Sequence, residues 1–341
     1  MPRTARLDAA GALHHVMIRG IERKNIFRGD RDRNNFIERL ASLLPETGTT
    51  CYAWALIPNH AHFLFRSGPP GIASLMRRLL TGYAVFFNRR YHRSGQLFQN
   101  RYKSVICQED IYFKELVRYI HLNPLRAHII HPSDLDVYPY CGHSALMGKS
   151  QRTWQDTSYV LRLFGNTPAT GRKKYRAFVE SGFDEGKRND LTGGGLMRSY
   201  KGWVEIRQEK QRLKGDERIL GDSDFVSRIL SEAHEDRERR LALQHAGYTL
   251  NLLANRIASL YNVNPDDILS KGRRKIHVEA RDVLCHVAVH DLGITVTDLA
   301  RRCHMSPSSI TYAVMRGKKI AETKNIAIDG HGHVEKGILN N

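Results

Sequence analysis

The chain has few cysteines, no long apolar run and fewer acidic than basic residues. Its five cysteines, Cys51, Cys107, Cys141, Cys285 and Cys303, form no close pair, which argues against a disulfide framework or a zinc ribbon. No window of about 18 residues is free of charge and apolar, so no membrane span or membrane partner is predicted. The start, MPRTARLDAAGALHH, lacks the apolar core of a secretory signal. We therefore expect a cytoplasmic location.

Charge is the most informative feature of the composition. The chain carries 53 Lys and Arg against 35 Asp and Glu, a net charge of +18. Residues 1–150 hold 21 basic and 11 acidic residues, a net of +10, and the remainder holds 32 and 24, a net of +8. An excess spread over both halves favours polyanionic partners for each of them, although a basic surface that only aids solubility has the same composition.

The 341 residues predict two or three domains, and no repeat or low-complexity segment interrupts them. We predict an α+β domain over 1–150, a connecting region over 151–215, a mainly α-helical domain over 216–325 and a flexible tail over 326–341. The connecting region carries Gly193, Gly194 and Gly195, which suit a hinge. Its role is not readable from the residues beyond helices that could brace the first domain.

Strand-like and helix-like segments alternate in the first domain. Apolar runs predict strands, and 3.6-residue spacing predicts helices. In chain order these are a strand at Gly11–Ile18, a helix at Asp30–Leu44, strands at Cys51–Ile57 and His60–Phe65, a helix at Ile72–Tyr91, an extended segment at Gln96–Gln108 and a helix at Asp110–Ile130. This order predicts a small α+β domain built on one sheet.

The motif PNHAHFLF places two histidines on a predicted strand. His60 and His62 are two residues apart, so their side chains leave the same face. Two imidazoles on one face suit a divalent metal with open coordination positions. Two half-exposed strand histidines without a ligand would show the same spacing. A histidine-triad nucleotide hydrolase would need a third alternate histidine, where this chain has Leu64.

The motif RYIHLNPLRA lies in the last predicted helix of this domain. Tyr119 and Asn123 are four residues apart and share a helix face, so an amide oxygen would lie beside a phenol. Asn123 could supply a third metal ligand. Pro124 removes a backbone donor and is expected to interrupt the helix. A tyrosine packed at a helix edge is the structural alternative, and Tyr112, seven residues earlier, is the rival nucleophile.

Between these motifs, YHRSGQLFQNRYKS interleaves cations with aromatic residues. Such a segment suits single-stranded DNA, because cations follow the phosphates and rings stack on the bases. A generic basic loop would have a similar composition. The candidate DNA contacts in it are Arg93, Gln99, Arg101 and Lys103.

Taken in order, these three motifs closely resemble those of the single-tyrosine HUH transposases, and the LNPLRA form resembles the REP-associated tyrosine transposases. The resemblance covers about residues 5–145. It implies a ferredoxin-like (RRM-like) antiparallel sheet with helices, with His60, His62 and Asn123 as metal ligands and Tyr119 as the nucleophile. It also implies Mg²⁺ or Mn²⁺ as the cofactor and single-stranded, hairpin-bearing DNA as the substrate. Relatives include monomers and homodimers, so the oligomeric state is open.

A second DNA-binding pattern lies at Thr295–Gly317, TVTDLARRCHMSPSSITYAVMRG. Two short helices joined at His304-Met305 predict a helix-turn-helix, with Ser306 as the N-cap of the second helix. That helix would present Ser308, Ser309, Thr311 and Tyr312 to the major groove. Upstream, Lys271, Arg273 and Arg274 form a basic loop that could hold a backbone phosphate. An ordinary helical bundle is the structural alternative.

Residues 250–318 resemble the C-terminal DNA-binding domain of the replication initiator DnaA. They depart from it at the recognition helix, where the initiator has an Asp-His-Thr-Thr run and this chain has Ser306-Pro307-Ser308-Ser309. The resemblance implies binding to duplex DNA, without the initiator's sequence preference.

Together these features predict a metal-dependent endonuclease and strand transferase that cleaves and rejoins single-stranded DNA through a 5′-phosphotyrosine. The absence of a GxxxxGK[ST] loop agrees with a reaction that conserves the phosphodiester energy and needs no ATP. One alternative is a domesticated DNA-binding regulator that no longer cuts. The other is an RNA-binding module, although His60 and His62 occupy sheet positions where RNA stacking would call for aromatic residues.

Overall fold

The structure is a computed structural model that describes residues 7–186, 188, 191, 216–328 and 334–336. The chain divides into two compact units, and the main division falls between Ile229 and Leu230. Each unit is described by itself. Within the described residues no helix combines the length and apolar character that crossing a membrane requires.

The first unit contains one five-stranded sheet and seven helices in its described part. The strands are β1 (Leu13–Arg19), β2 (Thr50–Ile57), β3 (His60–Arg66), β4 (Lys103–Cys107) and β5 (Ile219–Leu220). The helices are α1 (Asp30–Thr47), α2 (Gly71–Arg90), α3 (Glu109–His121), α4 (Asn123–Arg126), α5 (His143–Leu146), α6 (Thr157–Arg162) and α7 (Pro168–Glu180), with 3₁₀ turns at Ile21–Arg23 and Pro132–Val137.

The sheet order is β2-β3-β1-β4-β5. The first four strands pair antiparallel and arise from a β-α-β-β-α-β sequence, which is the ferredoxin-like connection. The predicted fold class is therefore confirmed. One detail differs from a purely antiparallel sheet, because β5 pairs parallel to β4 through Ile106–Ile219 and Cys107–Leu220. This strand comes from far along the chain, so local patterns could not place it.

The two faces of the sheet carry different helices because side chains alternate along each strand. On one face, Val16 and Ile18 of β1 share a core with apolar residues of α1 and α2. On the other face, Leu13 of β1 shares a core with apolar residues of α3. His15, Met17 and Arg19 have the same parity as Leu13, so β1 presents them toward the α3 side.

The predicted helix at Asp110–Ile130 is shorter in the structure. It ends at His121, and the short helix α4 follows from Asn123. Pro124 occupies the first turn of α4, where a missing N–H costs nothing, and its ring prevents the helix from running through. This break lets Asn123 and Arg126 turn back toward the residues of α3.

The second unit is mainly helical, as predicted. The helix α8 (Ser223–His245) crosses the division at Ile229 and Leu230, and its residues from Leu230 onward belong to this unit. The other elements are α9 (Leu250–Tyr261), α10 (Pro265–Leu269), α11 (Lys275–His290), α12 (Val296–Arg302), α13 (Pro307–Lys324) and the antiparallel strands β6 (Ile326–Ile328) and β7 (Val334–Lys336). A Cβ on Gly317 would lie 1.9 Å from the carbonyl oxygen of Asp282, so α11 and α13 cross in near backbone contact.

Two predicted segments lie partly outside the described residues. The hinge at Gly193, Gly194 and Gly195 and the rest of 192–215 are outside them, whereas α6 and α7 cover part of the connecting region. In the predicted tail at 326–341, β6 and β7 pair with each other, and 329–333 and 337–341 are outside the described residues.

Candidate active site

An open cleft of about 1110 Å³ lies on the α3 side of the sheet in the first unit. Side chains of β1, β3, α3 and α4 line it together with the segment that leads into β4. It brings together seven of the residues predicted from the sequence: His60, His62, Gln99, Arg101, Lys103, Tyr119 and Asn123. These residues are up to 63 positions apart (123 − 60) and meet because antiparallel pairing sets β1 and β3 side by side under α3.

The strand β3 holds both histidines on the cleft face. His60 pairs with Arg19 and His62 with Met17 across the β1–β3 ladder, so all four side chains leave the same side of the sheet. The two imidazole rings are 5.2 Å apart between centroids. The ring of Tyr119 lies 5.8 Å from that of His62, nearly perpendicular to it. The phenol and the two imidazoles therefore form one constellation.

Both histidines are neutral at pH 7. Burial, with a smaller contribution from Arg19, lowers the pKa of His60 to about 4. Burial also holds the pKa of His62 well below its usual value, and the neighbouring rings of His15 and His60 lower it further. A neutral imidazole keeps one nitrogen lone pair, which is the form that binds a metal or accepts a proton.

Hydrogen bonds determine which nitrogen of His60 keeps that lone pair. The Nδ1 of His60 lies 2.6 Å from the Oδ1 of Asn59, while the amide nitrogen of Asn59 donates to the carbonyl of Arg23. An amide oxygen only accepts, so Nδ1 of His60 must carry the proton. Its Nε2 therefore has the free lone pair.

Hydrogen bonds also orient the side-chain amide of Asn123. Its Nδ2 donates to the backbone carbonyls of Tyr119 at 3.0 Å and Ile120 at 3.3 Å, in the last turn of α3. Because both partners only accept, the side-chain oxygen Oδ1 must be the atom turned away from them. The amide thus has an acceptor that its anchoring contacts do not use.

The donor set suits a divalent cation. Imidazole nitrogens from His60 and His62 and an amide oxygen from Asn123 line the same cleft, and mixed nitrogen and oxygen ligands are accepted by several divalent ions. In the described part of the chain no group of three His, Cys, Asp or Glu side chains could hold a metal by itself. Asn123 is the third ligand predicted from the sequence, and the amide of Gln99 lines the same cleft.

Arg126 is a cleft residue that sequence reasoning missed. Its guanidinium carbon lies 5.2 Å from the ring centroid of Tyr119, its Nη1 donates to the carbonyl of Tyr119 and its Nε donates to the carbonyl of Glu185. Burial lowers its pKa, but an arginine stays cationic at neutral pH. The seven-residue spacing from Tyr119, two helical turns, was the signal that could have identified it.

His15 is the second residue that the sequence did not single out. It is fully buried on β1, and its Nε2 lies 3.1 Å from the Nδ1 of His62. Its Nδ1 lies 3.1 Å from the carbonyl oxygen of Leu191. Burial lowers the pKa of His15 to about 4.

Two candidates lie away from the cleft. Arg93 follows α2, and its guanidinium lies 5.7 Å from the ring of Phe87. Among the described residues it does not line the cleft, in contrast to Gln99, Arg101 and Lys103. Tyr112, the rival nucleophile, also lies outside the cleft lining and packs against the core on the α3 side.

In the second unit, the segment predicted as a helix-turn-helix contains α12 and α13, with residues 303–306 between them. The hydroxyl of Ser306 accepts from the N–H of Ser309 and caps α13. Ser308 and Ser309 are half-buried, and Tyr312 is 48% exposed. Thr311 differs from the expectation: it is 1% exposed and its hydroxyl donates to the carbonyl of Pro307, so α13 does not present it at the surface.

The predicted basic loop before α11 is exposed at Lys271, Arg273 and Arg274. A buried arginine, Arg281, donates to the carbonyls of Asp267, Ile268 and Gly272. It holds the loop backbone from inside, so the three outer cations are carried on a fixed turn.

Comparison with known proteins gives a family match within the first unit. Residues 10–123 match the family model of the IS200-like transposases. A solved structure of a REP-associated tyrosine transposase bound to a REP hairpin is similar with 12% identity and a TM-score of 0.36, covering 46% of this chain and 98% of that one. No curated protein matches the chain. The match over residues 10–123 supports the transposase family for the part of the chain that holds His60, His62, Tyr119 and Asn123.

Proposed function

We propose that the first unit is a DNA strand transferase that cleaves and rejoins single-stranded DNA through Tyr119. The observation that supports it best is the shared cleft: a phenol, two neutral imidazoles and an outward-facing amide oxygen line one open space. All of them come from a single chain, so one copy holds a complete set. The sequence resemblance further indicates hairpin-bearing DNA as the substrate.

The reaction is a transesterification with a balanced exchange of bonds. The Oη of Tyr119 attacks a phosphorus, the bond between Oη and phosphorus forms, and the bond to the 3′-oxygen breaks. The phenolic proton passes to solvent, and the 3′-oxygen takes one up as it leaves. The 5′-phosphotyrosine keeps the phosphodiester energy, so attack by a 3′-hydroxyl can rejoin the strand without ATP.

The cations of the cleft would serve the substrate and the nucleophile separately. Arg19, Arg101 and Lys103 are exposed at its wall, where they can follow phosphates along a strand. Arg126 lies against the Tyr119 ring and favours its deprotonated form. The chain has no Asp or Glu between Glu46 and Glu109, the range that contains Arg101 and Lys103, although Asp184 and Glu185 also line the cleft.

His60, His62 and Asn123 would hold a divalent cation, Mg²⁺ or Mn²⁺. When bound, such an ion would polarise the scissile phosphate and stabilise the charge that develops on it. Because nitrogen ligands suit Mn²⁺ better than the oxygen-seeking Mg²⁺, we expect tighter binding of Mn²⁺. The protein's part is to present two imidazole lone pairs and one amide oxygen in fixed orientations.

The test is covalent capture of DNA. Full-length protein is incubated with a labelled library of hairpin-flanked single strands and Mn²⁺ or Mg²⁺, then denatured to reveal protein-linked DNA. We expect an adduct in wild type that disappears in Tyr119→Phe and is strongly reduced in His60→Ala. Tyr112→Phe is the matched control and should retain it. An adduct that persists in Tyr119→Phe would refute the assignment of the nucleophile.

A second proposal concerns the second unit: we propose that its helix-turn-helix binds duplex DNA. The capped α13 and the fixed basic loop are the observations that favour it. In a duplex-binding titration, Arg273→Gln with Arg274→Gln should weaken binding and reduce the slope of log K against log salt by about one for each phosphate that the protein no longer neutralises. Arg237→Gln with Arg239→Gln, two exposed positions on α8, is the charge-matched control. An unchanged slope in the double variant would refute the proposal.

A further inference from the structure

We propose that His15 is a positioning residue that fixes the ring tautomer of His62, so that the Nε2 of His62 is the atom available to a metal. The inference deepens the proposed function, because the cation belongs to that function. The hydrogen-bond chain itself belongs to the metal-free protein and can be tested without any reaction.

The chain of hydrogen bonds starts at a backbone carbonyl. The oxygen of Leu191 can only accept, so the Nδ1 of His15, 3.1 Å away, must carry the proton. The ring of His15 is fully buried, and its two nitrogens face a carbonyl and another imidazole rather than a carboxylate that would stabilise a charge. A neutral ring with its proton on Nδ1 has its lone pair on Nε2.

That lone pair determines the state of His62. The Nε2 of His15 is 3.1 Å from the Nδ1 of His62, so the Nδ1 of His62 must donate the proton in this contact. The two rings stack at 5.3 Å between centroids, which limits rotation of His62. The Nε2 of His62 is then unprotonated, as is the Nε2 of His60, whose Nδ1 donates to Asn59. Both imidazoles offer the same nitrogen to the cleft.

Partners of this kind usually orient a ligating histidine and raise its affinity for the metal, with a decrease of about 10- to 100-fold in metal affinity when they are removed. Here the acceptor is an imidazole, and the carbonyl that orients it lies 176 residues further along the chain. The connecting region therefore reaches the candidate metal site through Leu191 and His15.

The experiment uses full-length protein and two measurements. Calorimetric titration with Mn²⁺ gives the affinity, and ¹⁵N–¹H NMR of histidine-labelled, metal-free protein gives the tautomer of His62. His15→Leu removes the acceptor and should lower Mn²⁺ affinity by about 10- to 100-fold. In the same variant, His62 should no longer show a single Nδ1–H tautomer. In His15→Gln the amide oxygen can still accept from His62, so tautomer and affinity should be largely restored.

His14→Leu is the matched control, because His14 is equally buried on the same strand but bonds to Ser104 on the other face of the sheet. It should leave both measurements unchanged even if it lowers the melting temperature. Wild-type His62 with its proton on Nε2 would overturn the proposal, as would unaltered Mn²⁺ affinity in a folded His15→Leu. A confirmed tautomer together with no DNA adduct in the capture assay would refute the proposed function alone.

Discussion

The contact between Arg126 and Tyr119 gives a quantitative prediction for the nucleophile. The guanidinium carbon lies 5.2 Å from the centre of the phenol ring. If the two charges are taken to be this far apart, with an effective dielectric constant of about 20, Coulomb's law gives about 3 kcal/mol of attraction for the phenolate. Since about 1.4 kcal/mol is a factor of ten in rate, removal of the charge should slow the attack of Tyr119 at neutral pH by roughly 100-fold.

The assay is single-turnover formation of the covalent adduct in Arg126→Ala over a range of pH. The rate should fall near neutral pH and recover as the pH rises, because hydroxide then supplies the phenolate that the cation no longer favours. Arg126→Lys keeps a charge but lacks the planar guanidinium that donates to the carbonyls of Tyr119 and Glu185. Its rate should therefore lie between those of wild type and Arg126→Ala. Arg176→Ala, on the exposed face of α7, is the control. A rate in Arg126→Ala within about threefold of wild type at all pH values would refute the reasoning.

Three further predictions concern the stability of each unit and the ion pairs of Glu185. Burial holds the pKa of His121 well below 6.5. Below that pH the imidazole is therefore protonated in the unfolded chain but not in the folded one. Below about pH 6.5, His121 alone should lower the free energy of unfolding by up to about 1.4 kcal/mol per pH unit, in addition to the other buried histidines, so the slope in urea denaturation should be smaller in His121→Phe; an equal slope would contradict this. Gly317→Ala should destabilise the second unit by about 1–3 kcal/mol, because the steric cost exceeds the gain of about 1 kcal/mol in helix propensity; a higher melting temperature would contradict this. Glu185→Ala removes a carboxylate that bonds Arg118 and Arg188, so adduct formation should slow more than in Glu180→Ala, and equal rates would contradict it.

The sequence predicted the fold because its main signals are local. Short apolar runs identified β1, β2 and β3, and 3.6-residue spacing identified α1 and α2 within a few residues of their observed ends. Pro124 predicted the interruption after α3 because a proline has no N–H to donate and its ring clashes with the preceding helical turn. By contrast, β5 owes its place to pairing with β4 across more than one hundred residues, and a two-residue strand has no periodicity to detect.

The same difference between local and long-range signals applies to the residues of the candidate site. His60 and His62 could be proposed together because a strand puts alternate residues on one face, and Tyr119 and Asn123 because a helix pairs residues four apart. His15 could not, because it is one of two adjacent histidines and only the β1–β3 register shows which of them faces His62. Thr311 was expected at the surface of α13, but the packing of that helix, which no single-helix pattern specifies, buries it.

The two site residues that the sequence did not identify are both held by backbone carbonyls of the connecting region, which assigns a role to part of that region. Arg126 is held by the carbonyl of Glu185, and His15 by the carbonyl of Leu191. A backbone carbonyl is present at every residue, so no motif marks the ones that a site uses. The ion pairs of Glu185 with Arg118 and Arg188 hold the chain at this point against α3. The segment around Glu185 and Leu191 thus orients one cation beside the phenol and one imidazole beside His62, and the proposed chemistry depends on it although none of its own side chains needs to react.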